Sequence, residues 1–307
     1  KKVCLEVDEI LLVGGNIVLH LVKGVLLCKV IRILTIRQEH HLHVHAFLQD
    51  ESDPSKRSLD SCAITIVDNG DIIGKYSCLN DWKLIALIHG EYFCQEVYDL
   101  TYQTTERVKM LAVGISKREE EAVRALMEAL VTVGIAMSYV GNSRPASGSE
   151  HHLSHYFEIT GILNKEPYLA HGIDVAYASV VTARLRDKII KSCPQVHNFN
   201  EKIWEQEIRR IYTTSAEEVM KLQRKLGWYV RDYFETVSRK WEEIIAVLEE
   251  APTEAEVLEM LEPIGLPFQD FAKLYGKEKI EDGILYAKDL KDRYTVLWLY
   301  YDYFRVF

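Results

Sequence analysis

From Asp71 to the C-terminus, apolar residues recur three and four positions apart, the spacing of one face of a helix. Strand-length β-branched runs, by contrast, are confined to the first seventy residues. This asymmetry predicts a small α/β part followed by a large all-helical domain. The early runs are EILLVGG (9–15), VIRILTI (30–36) and CAITIVDNGD (62–71), two of them closed by Gly or Asn-Gly turn signals. Between the first two, NIVLHLVKGVLL has the length of a crossover helix and would complete a β-α-β unit. Later, residues 118–140 open on an acidic turn and 171–192 close on basic residues, each the sign that a helix dipole favours. Ser215–Glu218 and Thr253–Glu256 fit the S/T-x-x-E capping box, predicting helices over 215–250 and 253–265.

Composition narrows the class of protein. A chain of 307 residues is long enough for a sizeable core, and 48% hydrophobic with 27% charged residues excludes a disordered or fibrous protein. Lys and Arg number 37 against 46 acids, a net charge of −9, which argues against a general nucleic-acid binder. The six cysteines (4, 28, 62, 78, 94 and 193) form no CxxC pair, so free thiols in a reducing compartment are expected, with Cys28, Cys62 and Cys78 as small buried hydrophobes. His20, Lys23, Lys29 and Arg32 interrupt the most apolar stretch, Ile10–Ile36. No run reaches the roughly 18–20 apolar residues of a membrane span, and no leader pattern is present. The expectation is a cytoplasmic protein.

The stretch with chemical content is GNSRPASGSEHHLSHYFE (141–158), a Gly/Ser/Pro-rich turn running into a helix that holds His151, His152 and His155. His151 and His155 are four apart and share a helix face. His171 follows at the start of the next helix. Two imidazoles on successive helix starts can converge on one ion, with a carboxylate as third ligand and an open fourth position. Spacing alone does not choose that carboxylate among 46 acids. The same run also suits an anion-binding helix N-terminus with no metal, and a single histidine is more often a surface or core-edge residue.

SRPASGSEHHLSHYFE and the later AHGIDVA resemble the sn-glycerol-1-phosphate dehydrogenase family, above all its bacterial, AraM-like branch. That family lies within the iron-containing alcohol dehydrogenase and dehydroquinate synthase superfamily. GDIIGKYSCLNDWKL (70–84) resembles the family's GDI-x-x-x-Y-x-x-x-DW segment and DLKDRYTVLWLY (289–300) its C-terminal R-x-RYT-x-L helix, so the likeness covers residues 70–307. The resemblance implies Asp71, His151 and His171 as ligands of one divalent metal, with Asp71 and His155 in catalysis. His155 would contact substrate one turn on, and His152 would be structural. Such a His₂Asp set suits Zn²⁺, Ni²⁺ or Fe²⁺. The implied reaction interconverts dihydroxyacetone phosphate and sn-glycerol 1-phosphate with NAD or NADP, in a homo-oligomer, a dimer by the family's pattern. Lys75, Arg144 and the Ser147–Gly148–Ser149 backbone are candidate phosphate donors, and Arg144 equally a structural salt bridge.

The resemblance also implies a Rossmann-like dinucleotide region over residues 1–69, ahead of a metal- and substrate-binding domain over 70–307. Gly14, Gly15 and Lys23 match the family's cofactor turn in GGNIVLHLVK, while Asn16, Ile17 and His20 depart from it. Seventy residues hold about two β-α-β units, short of two full βαβαβ halves, so the region is expected to be incomplete. Where the family has a Thr/Ser-rich cofactor loop stand His40, His41, His43 and His45, read as a solvated strand edge. The alternatives are a glycerol or other polyol dehydrogenase of the same superfamily, and a non-enzymatic metal- and phosphate-binding protein.

Overall fold

The computed structural model describes residues 68–305, together with the backbone of Leu12–Val13 and Asn16–Ile17. The chain divides into two units, Lys1–Leu59 and Asp60–Phe307. In the first, β1 (Leu12–Val13) pairs antiparallel with β2 (Asn16–Ile17), Leu12 opposite Ile17 and Val13 opposite Asn16. The expected cofactor residues Gly14, Gly15 and Lys23 lie outside the described residues, as do the cluster from His40 to His45 and the Rossmann-like region around them.

Among its described residues the second unit is all helix and connection, as the periodicity predicts. A helical turn over 68–73 leads into α1 (Lys75–His89), followed by α2 (Gln95–Met110), α3 (Ala112–Ser116) and α4 (Glu120–Val140). Then come α5 (Ser149–Asn164) and α6 (His171–Ile190), which lie along one another. The remainder comprises α7 (Glu201–Tyr212), α8 (Ala216–Leu226), α9 (Phe234–Arg239), α10 (Trp241–Glu249), α11 (Glu254–Leu261), α12 (Phe268–Tyr286) and α13 (Val296–Tyr303).

Helix α6 is the axis of the unit. It is buried on nearly every face, from Val175 and Ala176 through Val180 and Val181 to Leu185 and Ile189, as a helix apolar all round must be. Helices α1, α5, α10, α11, α12 and α13 all pack on it. Helix α4 buries a stripe of small residues, Ala122, Ala125, Ala129 and Ala136, and packs against α2. Among the described helices it alone is long and apolar enough, by length and composition, to cross a membrane. Its charges are used within the fold: Arg124 pairs with Glu120, and Glu128 with Arg107 of α2. Gly141, left-handed at φ 73°, ends it.

Three local expectations change. The Thr253–Glu256 capping box forms in full, but Ser215 makes no side-chain cap, because a 3₁₀ turn over Thr213–Ser215 precedes α8. The single helix expected over 215–250 breaks at Gly227, left-handed at φ 68°, into α8, a 3₁₀ turn, α9 and α10. The break lets Tyr229 donate to Asp289 Oδ1 at 2.6 Å and accept from Lys288 Nζ at 2.7 Å, bonds inside the core that outweigh local helix continuity. Finally, Arg293–Thr295 precede α13 instead of forming part of it, after a 3₁₀ turn over Ala287–Leu290. Cys78 is buried as expected, Cys94 is partly buried and Cys193 is exposed, all three as free thiols.

One close approach positions the turn over 68–73. A Cβ on Gly70 would lie 2.2 Å from the backbone oxygen of Gly172 and 3.1 Å from Ala176 Cβ, so only glycine lets this turn sit against the start of α6. Gly70→Ala is expected to cost about 1–3 kcal/mol, as overpacking of a tight contact does. A denaturant midpoint unchanged from that of the unaltered chain would contradict this account of the contact.

Candidate metal centre

Three segments far apart in sequence bring their donors together. Asp71 follows Gly70 in the turn held against α6, His151 lies in the first turn of α5, and His171 is the first residue of α6. One ligand atom from each lies within 4.8 Å of the others. His151 Nε2 is 3.1 Å from Asp71 Oδ1. The rings of His151 and His171 are 5.2 Å apart between centroids, and His155, one turn along α5, is 5.4 Å from His171 and 6.3 Å from His151. The carboxylate left open by spacing thus has a geometric candidate in Asp71, and His155 borders the same space.

Neighbouring groups orient each donor. Glu150, fully buried, takes the proton side of His151: its Oε1 is 2.7 Å from Nδ1, which turns Nε2 towards Asp71. The same oxygen accepts from the backbone of Gly148 at 2.9 Å. Ser154 Oγ lies 3.0 Å from His171 Nδ1 and leaves Nε2 as the ligating atom. Asp71 Oδ2 accepts from Lys75 at 2.9 Å, and the same ammonium donates to the carbonyl of Ala146 at 2.9 Å. Burial acts to raise the Asp71 pKa, but Lys75 and His151 outweigh it and hold the group well below the usual carboxylate range. Burial, then the neighbouring His151, push His171 down to about 3, so its imidazole is neutral near pH 7, the form a metal requires.

Deeper still, Asp81 accepts from the backbone N–H of Ser149 at 2.6 Å and of Val296 at 2.7 Å, so one buried carboxylate serves the first residues of α5 and α13. None of Glu150, Ser154 or Asp81 is singled out by the sequence reading. Glu150 directly precedes His151 and Asp81 stands in the Asp-Trp pair of 70–84, but only their partners reveal what they do.

The expected phosphate donors are already engaged. Arg144 grips Glu91 through Nε at 2.7 Å and Nη2 at 3.1 Å, the structural salt bridge of the two readings. Lys75 is held by Asp71 and Ala146, while the N–H groups of Gly148 and Ser149 go to Glu150 and Asp81. His152, expected to be structural, is fully buried, and among the described residues neither ring nitrogen is hydrogen-bonded.

No family model matches the chain. In sequence it is similar to curated proteins named glycerol-1-phosphate dehydrogenase (NAD(P)+). It is 26% identical over 228 residues to the one from Bacillus licheniformis, covering 74% of this chain and 47% of that protein. To that from Halalkalibacterium halodurans it is 27% identical over 230 residues, 75% of this chain and 50% of the relative. To that from Pyrococcus furiosus it is 37% identical over 116 residues, 38% of this chain and 32% of the relative. The chain spans about half the length of the curated relatives it matches over the longest stretches.

Glu150→Gln keeps the volume and the acceptor oxygen but removes the charge that polarises His151. Divalent-metal affinity, read by competition with a chelator, is expected to fall about 10–100-fold with the three donors intact. Unchanged affinity would show that Glu150 serves only the backbone of the turn.

Proposed function

Because the chain is a relative of the glycerol-1-phosphate dehydrogenase family, we propose that its helical unit is the metal- and substrate-binding part of an NAD(P)-linked oxidoreductase interconverting dihydroxyacetone phosphate and sn-glycerol 1-phosphate. The observation that carries this reading is the convergence of Asp71, His151 and His171 with His155 beside them. In this reading residues 1–69 take the dinucleotide through Gly14, Gly15 and Lys23, residues 70–307 take metal and substrate, and the protein is a homodimer.

The donor set fits a divalent ion. It offers two imidazoles and one carboxylate, borderline ligands that suit Zn²⁺, Ni²⁺ or Fe²⁺, with no fourth protein donor crowding the cluster among the described residues. Such an ion supplies a Lewis acid for the substrate's C2 oxygen. The chain's own residues do the remaining work. Asp71, kept ionised by Lys75 and His151, contributes the negative charge that retains a cation. Glu150 and Ser154 fix the ring orientations of His151 and His171, so the site is preorganised before substrate arrives. His155, on the α5 face shared with His151, holds or delivers the proton that the substrate oxygen gains on reduction and loses on oxidation.

Tryptophan quenching by NADH and NADPH, followed by dihydroxyacetone phosphate-dependent NADH oxidation with and without chelator, tests the reading. Cofactor binding and chelator-sensitive turnover are expected. Absence of cofactor binding would sink it in favour of a metal- and phosphate-binding protein, and turnover of glycerol but not the phosphate would favour a polyol dehydrogenase. Asp71→Asn, His151→Ala and His171→Ala should each abolish stoichiometric metal by elemental analysis. His155→Ala should retain the metal and lose about 10²–10⁴-fold in turnover.

A further inference from the structure

The segment before α13 turns two cations, half-buried Lys291 and buried Arg293, towards the protein with no carboxylate in ion-pair range among the described residues. Lys291 Nζ donates to Ser147 Oγ at 3.3 Å, while Arg293 donates to the backbone oxygen of the same Ser147 and, through Nη2, to Ser143 Oγ at 2.7 Å. Both side chains therefore converge on the turn that leads into α5. Neither forms an ion pair among the described residues, whereas Lys75, Arg144 and Lys288 each lie against an acid; Arg186, also buried without one there, donates instead to Ser77 Oγ and the backbone oxygen of Pro252. Glu150 and Asp292 act on the two cations from a distance, and neither carboxylate lies within ion-pair range.

The neighbourhood is short of acceptors as well. Arg293 is 7% exposed and its Nε is buried with no hydrogen bond among the described residues. Both ring nitrogens of His152 are likewise buried and unpartnered among the described residues. A histidine ring carries at least one N–H whatever its protonation state, so His152 has a donor to offer. Burial lowers the pKa of both cations, that of Lys291 well below its ordinary range and that of Arg293 to about 10. An unpaired buried cation is costly, and so is a buried donor with no acceptor. One anion with several oxygens would answer all of them at once. The receptor also adjoins the candidate metal centre: His152 follows His151 on α5, and Ser147, which both cations hold, lies four residues before His151.

We propose that Lys291 and Arg293, with His152, form a receptor for the phosphate group of a phosphomonoester. A phosphomonoester carries about −1.5 to −2 charges at neutral pH, which two cations match, and its oxygens accept from a guanidinium fork and an ammonium together. This assignment rests on the dehydrogenase reading only for the identity of the substrate; the binding itself does not require that reading. It also explains why Lys75, Arg144 and the α5 N-terminus are free to be consumed elsewhere.

The test is calorimetric titration of the full chain with inorganic phosphate, wild type against variants at equal metal content and constant ionic strength. Lys291→Met should weaken phosphate binding at least tenfold while Lys291→Arg retains it, and Arg293→Lys, which loses the fork, should weaken it several-fold. Without phosphate, Lys291→Met should unfold at the same temperature as wild type or higher, whereas a purely structural lysine would lower it. Wild-type protein that does not bind phosphate, or Lys291→Met that binds it as wild type does, overturns the receptor. Because no nicotinamide is present, phosphate binding without dihydroxyacetone phosphate reduction would sink only the dehydrogenase reading. Reduction with an unchanged KM in Lys291→Met would sink only the receptor.

Discussion

Asp81 sits where two helices begin. Its carboxylate accepts the first backbone N–H of α5 on one oxygen and that of α13 on the other, in a place with 4% solvent exposure. Two positive helix ends so close together would repel one another without it. Burial, and then the nearby Glu150, raise its pKa to about 6, and the two N–H groups work against that rise. The turn ahead of α5 and the segment ahead of α13 carry most of the chemistry described above. Their common tie explains how His151 and Arg293, 142 positions apart in the chain, come to border one space.

On the other side of that space the constraint is steric. Gly70 lacks the side chain that would hold the Asp71 turn away from the backbone of Gly172 in α6, and Gly74 approaches Val175 and Glu150 in the same way. The contact brings Asp71 to His171, and the i,i+4 spacing places Lys75 on the same carboxylate. Around the triad the hydrogen bonds leave little freedom: Glu150 and Ser154 each occupy the Nδ1 side of a histidine. Preorganisation of this kind requires charge in the interior, and several of those charges are paired. Lys288 shows the pattern away from the site, fully buried against Asp289 at 2.8 Å and 3.7 Å from the centre of the Tyr301 ring. Lys291 and Arg293, by contrast, have no such acid among the described residues and hold the turn before α5 instead.

Much of the helical unit is legible in the sequence. Periodicity and charge place α4 and α6 within a few residues of where they lie, because a helix states its own face every 3.6 residues and its own dipole at each end. The Thr253 box is equally local and forms as written. The 215–250 stretch is misread because Gly227 alone is a weak break, and the partners that make the break worthwhile, Lys288 and Asp289, lie some sixty residues further on. Arg144 and Lys75 look like phosphate donors for the same reason: a cation in a Gly/Ser-rich turn carries no sign that Glu91 or Asp71 already holds it.

By itself the sequence determined the helical class of this unit, the shared face of His151 and His155, and the family likeness that named His171 and Asp71. All of these rest on spacing along one chain. Only the tertiary structure decided which donors remain open, because a hydrogen bond or ion pair is satisfied by whatever stands within about 3 Å, regardless of distance in sequence. Folding assigned Glu150 to His151, Ser154 to His171, Asp81 to two helix ends and Glu91 to Arg144. Among the described residues it left half-buried Lys291 and buried Arg293 without a carboxylate, and the His152 ring without a hydrogen bond.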